Sequence, residues 1–224
     1  ELVYSGVDMI EIGMPFSDPL ADGPVIQHSS TVALKNGMNL HTLFAQLEGI
    51  RKEVSIPLIL MGYVNPVIQF GFEAFCKKCS EIGIDGLIIP DLPMYEYQKE
   101  YKAIVQKYKL DNIFLISPQT SEERIRLIDE ETTGFIYMVS SSSTTGAKAG
   151  GFGSEQIQYF ERVKAMGLKN PLMIGFGISN NETYTQANTY AHGAIIGSGF
   201  IKALENTTDI KTNVKTFVHK IRKQ

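Results

Sequence analysis

SEIGIDGLIIP, residues 80–90, changes character three times within a few residues. It begins on the polar end of a helical pattern, turns at Gly83, and finishes as a short run of Leu and Ile without polar alternation. A glycine just past a helix supplies the left-handed residue that stops it. A strand that is apolar on both faces is one covered on both faces, as in a parallel sheet. The same order returns in YAHGAII, residues 190–196.

Outward from that stretch, further apolar runs predict strands: VDMIEIGM (7–14), PLILMGY (57–63), NIFLIS (112–117), GFIYMVS (134–140), PLMIGFG (171–177) and GAIIGS (193–198). Helical patterns fill the intervals over 40–54, 66–82, 94–108, 121–131, 154–166, 181–191 and 199–206, and a last amphipathic helix covers 209–223. Seven βα units with no break in composition predict an α/β chain built as a (β/α)8 TIM barrel, one domain over residues 1–224, rather than a doubly wound sheet. A barrel wall short of one strand has two unpaired edges. The opening ELVYSGVDMIEIG (1–13) reads as the tail of a helix, a glycine and a strand. The expectation is therefore that the first βα unit is missing from this chain and that seven of eight strands are present.

Composition narrows the function classes. The 224 residues are 43% hydrophobic and carry a formal net charge of −3. That balance provides no electrostatic footprint for nucleic acid or an anionic membrane. No apolar stretch reaches the roughly 18 residues that read as a spanning helix. Cys76 and Cys79 form a C-x-x-C inside a helical pattern with Phe72, Phe75 and Ile82, without a second ligand pair or a thioredoxin-like context. They read as reduced helix cysteines, which fits a cytoplasmic protein. His28, His41, His192 and His219 are scattered and form no ligand set, so no metal is expected.

In a barrel of this class the βα loops at the C-terminal strand ends carry the site, and long loops are the candidates. Two qualify: 16–39, and SSSSTTGAKAGGFG (140–153), which is too polar and glycine-rich to pack and reads as a mobile lid. TTG (144–146), GFGIS (175–179) and GSGF (197–200) are glycine-bearing strand ends suited to close approach of an anion. None is a dinucleotide fingerprint.

In the first run, Met9, Glu11 and Gly13 share one face while Ile10, Ile12 and Met14 share the other. The Ile face is expected to meet helices, which turns Glu11 inward with Gly13 leaving space above it. A carboxyl removed from water is raised toward neutrality and suited to moving protons; a hydrogen bond to Tyr63 or Tyr137 would instead make it structural. Asp22, in LADGP, lies on the loop above the same strand end, and two carboxylates in unlike surroundings can divide acid and base roles. Asp18, in FSDP, fits a turn or cap as well as a site.

The run IEIGMPFSDPLADGP, followed in order by MGYVNP, IIPDLP, ISPQTS, YMVSSSSTTGA, IGFGIS and IIGSGF, closely resembles the tryptophan synthase alpha chain family over essentially the whole sequence. The resemblance implies a (β/α)8 lyase of tryptophan biosynthesis. It would cleave indole-3-glycerol phosphate to indole and glyceraldehyde 3-phosphate, and pass indole to a tryptophan synthase beta chain in an alpha2-beta2 heterotetramer. It implies no cofactor in this chain, pyridoxal phosphate being expected only in the beta chain. By position, Glu11 matches the catalytic glutamate and Asp22 the aspartate that bonds the indole N–H. Tyr63, Leu115, Tyr137, Thr145 and Phe176 match substrate-pocket positions; Gly146, Gly177, Gly197 and Ser198 match the phosphate cradle. Asp18, Pro19, Asp91 and Pro93 match positions that meet the beta chain. Two departures stand out: the family's first strand, which lends the indole pocket an aromatic wall, is absent, and the lid is richer in serine. The alternative is a catalytically weak partner that mainly activates the beta chain, although a pure activator need not keep both Glu11 and Asp22. Another phosphate-binding barrel, such as a sugar-phosphate isomerase, would leave FSDPLADGP unexplained.

Overall fold

The computed structural model describes residues 1–140, 151–205 and 207–223. Its contacts separate two compact units: Asp8–Ala21 with Gln27–Ile113, and Glu1–Val7 with Asp22–Ile26 and Phe114–Gln224. Each contains a four-stranded parallel sheet whose strands follow chain order.

The first sheet holds β1 (Ile10–Gly13), β2 (Leu58–Met61), β3 (Gly86–Ile88) and β4 (Asp111–Ile113). Its crossings run through α1 (Pro24–Lys35), α2 (Leu40–Leu47), α3 (Val64–Phe70), α4 (Phe72–Ile82), α5 (Met94–Glu96), a π turn at Tyr97–Tyr101 and α6 (Lys102–Lys107). The second sheet holds β5 (Leu115–Ile116), β6 (Ile136–Val139), β7 (Leu172–Gly175) and β8 (Gly193–Ala194), with α7 (Glu122–Glu131), α8 (Ser154–Ala165), α9 (Asn181–Tyr190), α10 (Ser198–Leu204) and α11 (Ile210–Arg222). No helix among the described residues is long and apolar enough to cross a membrane.

Several expectations shift, each for a local reason. The pattern over 66–82 is two helices, because Gly71 takes φ +93° between α3 and α4. The pattern over 40–54 stops at Leu47 and resumes as one 3-10 turn after Gly49 at φ +77°. Residues 16–39, read as loop, contain α1, which starts on Pro24; proline at the first helical position gives up no hydrogen bond. The run NIFLIS is interrupted at Phe114, so β4 and β5 belong to different sheets. β1 is shorter than 7–14, since the Val7 N–H turns back to the Leu2 carbonyl at 3.4 Å. Ile10 and Ile12 are half-buried where full burial was expected, and β1 pairs only with β2 among the described strands.

The cores follow from the apolar strands. Leu58, Leu60, Leu87, Ile88, Phe44 and Phe75 are fully enclosed in one unit, and Ile116, Ile125, Ile136, Met138 and Phe160 in the other. Cys76 and Cys79 on α4 are free and fully buried, and that burial pushes both thiols up, well above their ordinary range.

At the strand starts, side chains satisfy backbone groups that the ladders leave over. Arg51 donates to the carbonyls of Gly83 (2.6 Å), Ile56 (2.7 Å) and Val54 (3.2 Å) and pairs with Asp85. Asp85 in turn accepts the N–H of Leu58, the first residue of β2, at 2.7 Å. In the other unit Asp129 accepts the N–H groups of Lys169 and Asn170, each at 2.9 Å, just before β7. His192 Nδ1 accepts the N–H of Leu172, where β7 begins, at 3.0 Å.

Arg51 joins the end of one helical segment, the C-cap of the next and the start of β2. Its replacement by alanine leaves the carbonyls of Gly83, Val54 and Ile56 without this donor and takes the cation from Asp85, so Arg51→Ala is expected to lower unfolding stability by about 1–3 kcal/mol. Urea denaturation with an unchanged m-value checks this, and a midpoint equal to that of the parent refutes it.

Candidate active site

Glu11 is the second residue of β1, in register with Ile59 of β2, Gly86 of β3 and Asp111 of β4. In a parallel sheet residues in register share a face, and here Ile59 (3% exposed) and Ile113 (2% exposed) fill the space over Gly86. The carboxyl of Glu11 therefore stands at the edge of an apolar row. Its Oε1 is enclosed and has no hydrogen-bond partner among the described residues. Desolvation pushes its pKa from 4.5 to about 8. A carboxyl in this state is protonated at neutral pH and becomes a base on losing that proton. Above it the backbone of Gly13 is open: a Cβ there would meet nothing within 4 Å.

The stretch after β1 is fastened by Tyr63. Its hydroxyl accepts the Ala21 N–H at 3.0 Å, and its ring lies 5.3 Å from that of Phe16. Tyr63 is itself 6% exposed. Within this stretch Asp18 is exposed and bonded to the Ser17 hydroxyl at 2.5 Å, Pro19 is half-buried and Leu20 is 92% exposed. Asp91, also exposed, accepts the Val64 N–H at 2.8 Å and so caps α3 from the following loop. Exposed Pro93 is the N-cap of α5, and Tyr95 next to it is 67% exposed. The large apolar side chains of Leu20 and Tyr95 were missed in the sequence reading, because hydrophobicity alone marks burial and not exposure.

In the other unit Leu115, Tyr137, Phe176, Gly177, Gly197 and Ser198 lie on β5 and β6 and on the turns that follow β7 and β8. Leu115, Tyr137, Met173 and Gly193 form a single cross-strand row on β5 to β8. The Tyr137 ring rests on the backbone of Gly175 so closely that a Cβ there would lie 2.1 Å from its hydroxyl. Phe176 follows at φ +68°, its ring perpendicular to Tyr137 at 6.2 Å, and Gly177 continues at φ +76°. Gly177 lies beside Ser140, with 3.5 Å between a Cβ built at 177 and the serine Oγ. The 175–179 turn reaches the 197–199 turn: a Cβ on Gly199 would be 3.4 Å from the Ser179 Cα. Gly197, in turn, lies against Ile26, four residues after Asp22. The two glycine turns are thus neighbours, and the Asp22–Ile26 stretch adjoins them. Gly197 and Ser198 are exposed at the start of α10. Thr145 and Gly146, together with most of the stretch read as a lid, lie outside the described residues.

Glu11 and Asp22 fall in different units. Gly175 and Ser140 lie within sequence motifs without standing out as site residues; the signal for Gly175 is a bulky Tyr137 two positions behind its cross-strand neighbour. Among the described residues no cluster of His, Cys, Asp and Glu could hold a metal ion.

Two outcomes follow. Gly175→Ala puts a methyl into the Tyr137 ring, and is expected to destabilise the protein by about 3 kcal/mol, an overpacking penalty at the upper end of the range, measured by thermal or urea unfolding. Glu11→Gln tests the raised pKa. A carboxyl whose native pKa exceeds its unfolded value contributes fully below about pH 4.5 and loses that contribution as pH rises through about 8. Gln keeps the shape of the protonated form, so the variant should match the parent near pH 4.5. It should become progressively more stable than the parent up to pH 8, by about 10 °C or more in Tm; a difference that does not change with pH overturns the assignment.

Comparison with known proteins gives the family of the chain. A family model described as Tryptophan synthase alpha chain matches residues 1–224. The Tryptophan synthase alpha chain of Flavobacterium johnsoniae is 63% identical over 222 residues, covering 99% of this chain and 87% of that protein. That of Christiangramia forsetii is 60% identical over 223 residues, covering 99% and 86%. Among solved structures, the tryptophan synthase A-subunit of Pyrococcus furiosus superposes with a TM-score of 0.91 at 31% identity, over 100% of this chain and 89% of that one. These likenesses bear out the α/β barrel fold class that the strand and helix order predicts. On the family match and these identities, the chain belongs to the tryptophan synthase alpha chain family.

Proposed function

We propose that this chain is the alpha subunit of a tryptophan synthase, a carbon–carbon lyase that cleaves indole-3-glycerol phosphate to indole and glyceraldehyde 3-phosphate. The observation that carries the reading is the buried carboxyl of Glu11, whose Oε1 has no hydrogen-bond partner among the described residues and whose pKa burial raises to about 8. Cleavage requires a proton on C3 of the indole ring and removal of one from the glycerol hydroxyl next to the breaking bond. A group protonated at neutral pH yet able to act as a base serves both ends. Glu11 delivers the first proton; as carboxylate it accepts the second as the bond opens and the aldehyde forms. Asp22 bonds the indole N–H and stabilises positive charge on the ring. Tyr63, Leu115, Tyr137, Thr145 and Phe176 are the residues assigned to binding the indole and glycerol portions.

The phosphate is assigned to Gly146, Gly177, Gly197 and Ser198. Supporting this, the 175–179 and 197–199 turns adjoin. At the start of α9 the N–H groups of Ser179 and Asn180 are taken by the Thr183 hydroxyl, and that of Thr183 by the Asn180 side chain. The anion is therefore met by Gly177 and the 197–198 turn.

The chemistry so assigned is acid–base chemistry of this chain's own side chains; pyridoxal phosphate is assigned to the beta chain. A structure described as a tryptophan synthase complex from Pyrococcus furiosus matches this chain with a TM-score of 0.88. The surface assigned to the beta chain is Asp18, Pro19, Asp91 and Pro93. The exposed apolar Leu20 and Tyr95 beside them in sequence suit burial by a partner in an alpha2-beta2 assembly. Two free, buried cysteines fit a reducing compartment, and we place the protein in the cytoplasm.

The test is indole release from indole-3-glycerol phosphate, with and without a tryptophan synthase beta chain. Turnover by this chain, increased by the beta chain, is expected. Glu11→Gln should lower kcat by about 100-fold or more while leaving the fold intact. An unaffected kcat removes Glu11 from the mechanism. No turnover by the parent, combined with activation of the beta chain, establishes the purely regulatory role instead.

A further inference from the structure

Two consecutive residues of the GFGIS turn hold positive φ, Phe176 at +68° and Gly177 at +76°. Glycine occupies that region freely, whereas a residue with an aromatic side chain does so only when its surroundings force it. The forcing group is Ser140. This residue is 1% exposed, and its hydroxyl donates to the Phe176 carbonyl at 2.6 Å. Its own N–H donates to the Gly175 carbonyl at 3.0 Å, so one residue grips two successive carbonyls of the turn. Ser140 is fixed in its turn by Gln156 of α8, whose amide donates to the Ser140 carbonyl at 3.0 Å and accepts the Gly153 N–H at 2.9 Å.

We propose that Ser140 is a positioning residue for substrate phosphate: by holding the Phe176 carbonyl, its hydroxyl keeps Phe176 and Gly177 left-handed and so presents the Gly177 backbone to the anion. The inference rests on the assignment of Gly177 to the phosphate site. Released from this bond, Phe176 relaxes toward negative φ, and the peptide between residues 176 and 177 turns with it. The residues assigned to proton transfer are not touched.

The test compares Ser140→Ala and Ser140→Cys with the parent in two assays: steady-state cleavage of indole-3-glycerol phosphate, and binding of inorganic phosphate by titration calorimetry. Loss of one well-placed hydrogen bond corresponds to about a tenfold effect. Both variants should raise KM about tenfold and weaken phosphate binding by a similar factor, with kcat within about threefold of the parent. The thiol fills the space but donates weakly. An unchanged KM and phosphate affinity in either variant overturns the proposal, whatever happens to Tm, since a merely structural serine would move Tm alone. Should Ser140→Ala fail to fold, Ser140→Cys carries the same readout. The phosphate assay needs no chemistry, so a parent that binds phosphate without releasing indole refutes the assigned reaction and leaves the role of Ser140 to be read from binding. A parent that binds no phosphate overturns the inference together with the assignment of Gly177.

Discussion

A parallel strand enters its sheet with backbone groups that no neighbour can satisfy, and in this protein side chains take up that obligation at the strand starts. Arg51 and Asp85 do so around β2 and β3, and Asp129 and His192 around β7. The demand is met there by the Arg51–Asp85 ion pair and by hydrogen bonds to backbone N–H and carbonyl groups. Elsewhere the chain tolerates a buried carboxyl oxygen of Glu11 without a partner among the described residues, adjacent glycine turns after β7 and β8, and a left-handed phenylalanine.

The architecture was legible because it depends on bulk properties. Runs such as PLILM and GLII are apolar on both faces, and only a doubly covered parallel sheet accepts them. What was not legible depends on single backbone angles. Gly71 sits inside a helical periodicity that continues unbroken on either side, yet its φ of +93° divides α3 from α4. Nothing in NIFLIS marks Phe114 as the residue where one sheet's ladder stops and another's begins. The α1 helix was hidden because none of its residues is buried, so it lacks the apolar stripe by which helices are found.

The site divides in the same way. Glu11 announced itself as a charge among apolar residues, and its inward direction followed from alternation; that its Oε1 has no partner among the described residues required coordinates. The glycine turns were visible as motifs, whereas their adjacency through Ser179 and Gly199 joins residues distant in sequence. Ser140 was the least visible: one serine in a run of four, distinguished only by the carbonyl it reaches. The roles of Thr145 and Gly146 rest on resemblance alone.

The two cysteines have a use outside catalysis. Both lie on α4, wholly buried in the unit built on β1 to β4, and the chain has no others. A thiol reagent can reach them only when that half of the molecule opens. The protein therefore carries an intrinsic clock: its rate of labelling by a small alkylating probe reports the opening of one sheet and is blind to motions confined to the other.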